Sequence, residues 1–209
     1  MQGKKLGLLI DEEIYEVHEV PDDIKLTEIQ RNQVTVARTK QSIINKGAIA
    51  EALEELESPI YFLDYETIST GLPLYRGSRP YQQIPFQYSL HILPSATEKL
   101  EHYEFLDRSG KESPMQLLLE SLTKQLGETG SVVVWNKGFE KKANEEMAAS
   151  HPQYETSLAS INDRLFDLLE IFSKQLYIHH GFKGSNSIKS VLPVLVPEFS
   201  YKGLDIQGG

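Results

Sequence analysis

The sequence predicts an α/β domain on a mixed sheet: a three-strand meander, then helix, strand and helix, with a helical segment in front. Three observations lead there. Apolar, β-prone runs stand at Ile60–Thr67, Phe86–Leu93 and His102–Leu106. An amphipathic helix with a strong start signal follows at Ser113-Pro114. A short apolar run, Val132-Val133-Val134-Trp135, then lies between two helical patterns.

In chain order, residues 1–57 read as an N-terminal helical and linker segment. It holds one aromatic residue, Tyr15, among dense charge. Pro21-Asp22-Asp23 reads as a turn, and Thr27 with Gln30 fits a capping box. Ile49, Ala52, Leu53 and Leu56 recur at helical spacing. Two helices that pack on a neighbouring domain are expected, because the segment is too poor in large apolar side chains to hold a core alone.

Residues 58–209 read as the main domain. Pro59 lacks an N–H and ends the preceding helix. Ile60–Thr67 is expected to be a strand buried on both faces, because Tyr61-Phe62-Leu63 is unbroken. A loop rich in Gly, Pro and Arg runs from Gly71 to Pro85 before the next two strands. Ser113 caps, Pro114 opens and Gln116 completes the next helix start; Met115, Leu118, Leu119, Leu122 and Leu126 form its stripe, and Gly127 stops it. Helices are expected over about 138–149 and about 161–176, the latter with Ile161, Leu165, Leu168, Leu169, Phe172 and Leu176 on one face.

Composition bounds the function. The 209 residues are 40% hydrophobic and 24% charged, which is ordinary globular usage. The net charge of −9 argues against a general polyanion binder and is compatible with a compact acidic site for Mg²⁺ or Mn²⁺. The absence of cysteine excludes disulfides, thiolate metal sites and cysteine nucleophiles. No apolar run reaches the roughly 18 residues a transmembrane helix needs, and Asp11, Glu12 and Glu13 interrupt any leader-like stretch. A cytoplasmic protein without a membrane partner is expected.

Asp64 and Glu66 carry the argument for chemistry. Residues two apart on a strand share a face, so these carboxylates stand side by side on an apolar strand. Their repulsion and lost hydration call for an offset, which a divalent cation supplies; the plain alternative is two acids facing solvent. Trp135-Asn136-Lys137-Gly138-Phe139-Glu140 is the second signal. Asn136 can cap the helix, Phe139 can anchor its first turn, and Glu140 sits where the helix dipole favours a negative charge. Glu140 is thus the third candidate ligand beside Asp64 and Glu66.

The strand Asp64-x-Glu66 followed by an Asn-x-x-Phe-acid turn resembles the first two motifs of the DnaQ-like 3′–5′ exonucleases. More closely, the chain is similar to a bacterial family of uncharacterised proteins with such a domain. The stretches Phe62–Thr67, Arg79–Ser89, Asn136–Glu140 and Gly184–Pro193 carry the likeness. The resemblance implies a ribonuclease H-like fold, four acids holding two Mg²⁺ or Mn²⁺ ions, and 3′-end exonuclease action on DNA or RNA, single-stranded or at ends. It also implies a separate cysteine-containing module upstream in the parent protein, a candidate second nuclease module. Two departures stand out: Glu140 replaces the usual Asp, and no Tyr- or His-associated final acid follows Gly203. The chain is therefore expected to be an excised domain cut short at its C-terminus, with an incomplete site and little activity of its own.

Weaker candidates complete the set. Asp167 is a further acid, expected on a helix away from its apolar stripe, and related nucleases often carry a supporting Asp there. Asp205 is a remote substitute for the missing ligand. In the loop after the first strand, Tyr75, Arg76, Arg79, Tyr81, Gln82 and Gln83 interleave aromatics with arginines, which suits base stacking and phosphate contact, or else the tyrosines pack on the sheet. Arg79, Tyr81, Gln83 and Asn136 are the substrate-binding candidates here. No acid occurs between Ile171 and Pro197, where Lys174, Lys183 and Lys189 fall; Ser185, Ser187 and Lys189 at a helix opening could hold a phosphate. His179 and His180 are candidate bases or a plain surface pair. The expected function is a metal-dependent nuclease, with a non-catalytic module binding a nucleic-acid end or a protein as the alternative. A carboxylate-pair glycosidase fits poorly, since its acids must flank a sugar.

Overall fold

The computed structural model describes residues 4–199 except 109 and 111. In chain order the elements are α1 (Lys4–Asp11), α2 (Glu28–Thr39), β1 (Ile43–Ile44), α3 (Lys46–Glu54), β2 (Ile60–Ile68), β3 (Ile84–Leu93), β4 (Glu101–Leu106), α4 (Met115–Gln125), β5 (Val132–Val134), α5 (Lys137–Ser150), α6 (Glu155–Asp163), β6 (Leu165–Asp167), α7 (Leu169–Ser173), β7 (Tyr177–Ile178) and α8 (Ile188–Leu195). Three short 3₁₀ turns join them. The described residues form two compact units, 4–52 with 169–199, and 53–168. The stretch 169–199 thus falls in one compact unit with the N-terminal segment. Two contacts account for this. β7 pairs antiparallel with β1, and Gln175 accepts a hydrogen bond from Asn32 Nδ2 at 3.0 Å.

In the first unit the capping box forms as read: Thr27 Oγ1 accepts from Gln30 N–H, and Gln30 Oε1 accepts from Thr27 N–H. Leu9, Val20 and Val34 make a small core with Ile14, Ile24 and Leu26 against it. Phe172, Tyr177 and Phe182 add a ring cluster.

The second unit is a five-stranded mixed sheet, order β4-β3-β2-β5-β6, flanked by helices. β2, β3 and β4 form the antiparallel meander, while β5 and β6 run parallel to β2. Alternation splits the meander into two unlike faces. Tyr61, Leu63, Tyr65, Tyr88, Leu90 and Ile92 are buried with Met115, Leu118, Leu119 and Leu122 of α4 and Ala143 and Met147 of α5. The opposite face, carrying Phe62, Asp64 and Glu66, is open, and Phe62 keeps 39% of its surface exposed. The expected burial of this strand on both faces is therefore corrected.

Three further expectations change. The helix expected over 161–176 is broken into α6, β6 and α7. Leu165 to Asp167 pair with Val132 to Val134, so a ladder outweighs the helical periodicity. Arg164 locks that break by donating to the Gly127, Thr129, Gly130 and Ser160 carbonyls. Ser113 does not cap α4; Pro114 holds the cap position, and the Ser113 hydroxyl is buried without a partner among the described residues. Asn136 likewise makes no side-chain cap to α5.

Candidate functional site

β2 is the branch point of the sheet, with an antiparallel neighbour on one side and a parallel one on the other. In open α/β sheets the crevice beyond the carboxyl ends of the strands at such a point is where ligands bind. Asp64 and Glu66 lie toward that end of β2, Asp167 is the last residue of β6, and Glu140 lies in the first turn of α5, just after β5. Sheet topology thus directs the four acids toward the same end of the strands without drawing them into one cluster.

Glu140 is the most perturbed of them. It is only 4% exposed, and its Oε2 has no hydrogen-bond partner among the described residues. Burial pushes its carboxyl up to about 7; its own backbone N–H opposes the rise, and Asp64 and Asp167 add to it. Asp64 remains reachable by solvent, yet enough protein surrounds it that dehydration, followed by the charge of Glu66, raises its carboxyl. Asp167 accepts from the first backbone N–H of α5, Lys137 N, at 3.1 Å, and the Lys137 ammonium donates to the Leu165 carbonyl. Asp167 therefore performs the capping expected of Asn136, from a strand and not from the helix expected around it.

A buried hydrogen-bond relay sets the rotation of α5. Tyr65 Oη, on the core face of β2, donates to Asn144 Oδ1 at 2.9 Å, and Asn144 Nδ2 donates to Asn162 Oδ1 at 2.8 Å. Asn144 is fully buried and one helical turn from Glu140, so the bond that fixes one fixes the face of the other. Burial, with Glu140 and Tyr88, raises the Tyr65 hydroxyl, which stays protonated and donates. Sequence reasoning missed Asn144; a polar residue four positions after a site acid, on an otherwise apolar helix face, was the available signal.

A register irregularity falls between Glu66 and Thr67, and such bulges re-aim neighbouring side chains. The donor set is all hard carboxylate oxygen, which suits Mg²⁺ or Mn²⁺. Among the described residues, however, no three His, Asp or Glu side chains are gathered into a set that could hold a metal ion. Mutual repulsion of like charges opposes closer approach.

The loop candidates are partly committed elsewhere. Arg79 pairs with Glu146 of α5 at 3.4 Å. Gln83 Oε1 accepts from Thr67 Oγ1 at 2.7 Å. Tyr75 packs against the core, as the plain reading allowed, whereas Tyr81 is 76% exposed on a left-handed backbone. Asn136 is exposed.

Ser187 and Lys189 belong to the first unit, where Ser187 Oγ accepts from Lys189 N–H as the cap of α8. Lys174 pairs with Glu170. His179 accepts from Gly181 N–H and stacks near His180; burial, then His180, lowers its basicity. Asp205 lies outside the described residues.

No helix among the described residues is long and apolar enough to cross a membrane. No solved structure matches the chain. The chain is 31% identical over 170 residues to the "Uncharacterized protein MG366 homolog" of Mycoplasma pneumoniae, covering 73% of this chain and 25% of that protein. It is 30% identical over 166 residues to "Uncharacterized protein MG366" of Mycoplasma genitalium, covering 72% and 25%. Against "Uncharacterized protein UU173" of Ureaplasma parvum it is 25% identical over 207 residues, covering 90% and 30%. The chain spans at most about a third of the length of these relatives. Residues 61–187, more than half the chain and inclusive of all four acids, match one family model, and the chain belongs to that family, described as Domain of unknown function (DUF2779).

Proposed function

We propose that this chain is a metal-dependent nuclease domain of ribonuclease H-like, DnaQ-related type that hydrolyses phosphodiester bonds in single-stranded or frayed nucleic acid. The observation that carries the reading is the buried Glu140 carboxyl with an unpartnered oxygen, which feels the charges of Asp64 and Asp167 near the carboxyl ends of parallel strands. A native protein rarely leaves such a group unsatisfied, and functional sites are where it does. The mixed sheet with its antiparallel meander and parallel β5 and β6 supports the fold assignment.

In this reading Asp64, Glu66 and Glu140 hold Mg²⁺ or Mn²⁺, with Asp167 supporting the set. Ions held there would supply Lewis acidity, lowering the pKa of a bound water and offsetting negative charge at the phosphate. Tyr81, exposed in the loop after β2, is available to stack on a base, and Arg79 reaches a phosphate only by leaving Glu146. One observation favours the alternative, a non-catalytic module of the same fold: the acids do not stand gathered as a metal set.

The test is end-labelled single-stranded DNA and RNA incubated in Mn²⁺ or Mg²⁺ with this chain and with a longer protein of its relatives' length, the latter beside its Asp64→Asn variant. Products that need Asp64 support the nuclease. Strands left intact by the longer protein with both polymers and both metals, or cleavage unchanged by Asp64→Asn, refute it.

A further inference from the structure

The open face of the meander carries a second feature that the carboxylates do not explain. Strand register places Phe62 opposite His91, and His91 opposite His102, so three rings form one row across β2, β3 and β4. The two imidazoles stack with centroids 4.2 Å apart and planes 18° from parallel. Ser89 Oγ lies 3.2 Å from His102 Nε2 and steadies that ring. His102 is exposed and His91 half-buried, so ring surface is open to solvent in a place where the core does not need it. The adjacent row is Asp64, Ser89 and Glu104.

We propose that this row is a shelf on which an unpaired nucleobase of a single strand stacks, next to the phosphate held at the Asp64 end of the same face. The position of that phosphate rests on the nuclease reading above. Stacking on aromatic side chains is how sheet faces bind single strands without regard to sequence, because every base has a π-face. The spacing fits: Phe62 and Asp64 are two residues apart on one strand, about 7 Å, within the reach of one nucleotide step.

The charge layout fits as well. His91 and His102 are the only basic side chains on β2, β3 and β4, and they stand at one end of a face whose other end carries Asp64 and Glu66. The row itself carries no acid, so a base can meet the rings without a carboxylate between them. The structural alternative, a ring pair that merely steadies the β3–β4 edge, does not require Phe62 to share the row.

The test is fluorescence anisotropy of the full chain with labelled oligothymidylate, oligouridylate and an abasic backbone of equal length, in Ca²⁺ to limit cleavage. The His91→Ala/His102→Ala double variant should lose about tenfold in affinity for whichever base-bearing strand the chain binds, the scale of one stacked base. His102→Phe, which keeps a ring, should bind as wild type, and the abasic strand should not distinguish wild type from the double variant. The two base-bearing strands tell DNA from RNA. An unchanged double variant, an equal loss on the abasic strand, or no binding by wild type would overturn the shelf. Shelf-dependent binding without cleavage by the longer protein in any metal would sink the nuclease reading alone; Asp64-dependent cleavage with shelf-independent binding would sink the shelf alone.

Discussion

Replacing Glu140 by glutamine should stabilise the protein at alkaline pH in the absence of divalent cations. The Glu140 carboxyl is raised from 4.5 to about 7, chiefly by burial. A raised carboxyl means that the folded state holds a proton the unfolded chain has released. Stability from this group is therefore full below pH 4.5 and is lost as pH rises through 7. The loss amounts to about 3 kcal/mol as an upper estimate, at about 1.4 kcal/mol per tenfold change. Glu140→Gln keeps the shape and removes the titration, so the two proteins should be nearly equal at pH 4.5 and diverge by about 2–3 kcal/mol at pH 8. Asp64, also raised, adds a slope of the same sign to both proteins and cancels in the comparison. Urea unfolding followed by Trp135, the only tryptophan and a residue of the same unit, gives the stability at each pH. A glutamine variant no more stable than wild type at pH 8 would show that the ionised carboxylate is not strained, and the main support for the site would fall.

Saturating Mn²⁺ should stabilise wild type by about 3 kcal/mol at a hundredfold excess over its dissociation constant, and Asp64→Ala should abolish the effect; equal stabilisation of both proteins would place the ion elsewhere. Asn144→Ala should cost about 2–4 kcal/mol, because it strands the buried Tyr65 hydroxyl and leaves a small cavity. It should also weaken the Mn²⁺ response by loosening the helix face that carries Glu140. A loss below about 1 kcal/mol would show that the relay does not set α5.

Much of the architecture was legible because it rests on local pattern. The meander strands, the β5 run, the Thr27 capping box and the apolar stripe of α4 each depend on period or on neighbours within four residues. The region 161–176 reads as one helix because its apolar spacing satisfies a helix equally well. Pairing of Leu165 to Asp167 with β5, some thirty residues away, decides otherwise, and no local signal reports a ladder partner. The burial of β2 was overestimated for the same reason: a strand's own residues do not say whether a layer covers its second face.

At the site, sequence alone singled out Asp64 and Glu66 by alternation and Glu140 by its place at a helix opening. Those assignments follow from covalent spacing and are independent of the rest of the chain. Tertiary structure decided that Glu140 is sealed from water, that Asp167 caps α5 from a strand, that Tyr65 and Asn144 fix the helix face, and that Phe62, His91 and His102 share a row. Hydration, charge coupling and ring stacking are properties of atoms brought together across long sequence separations, and only the folded chain sets those distances.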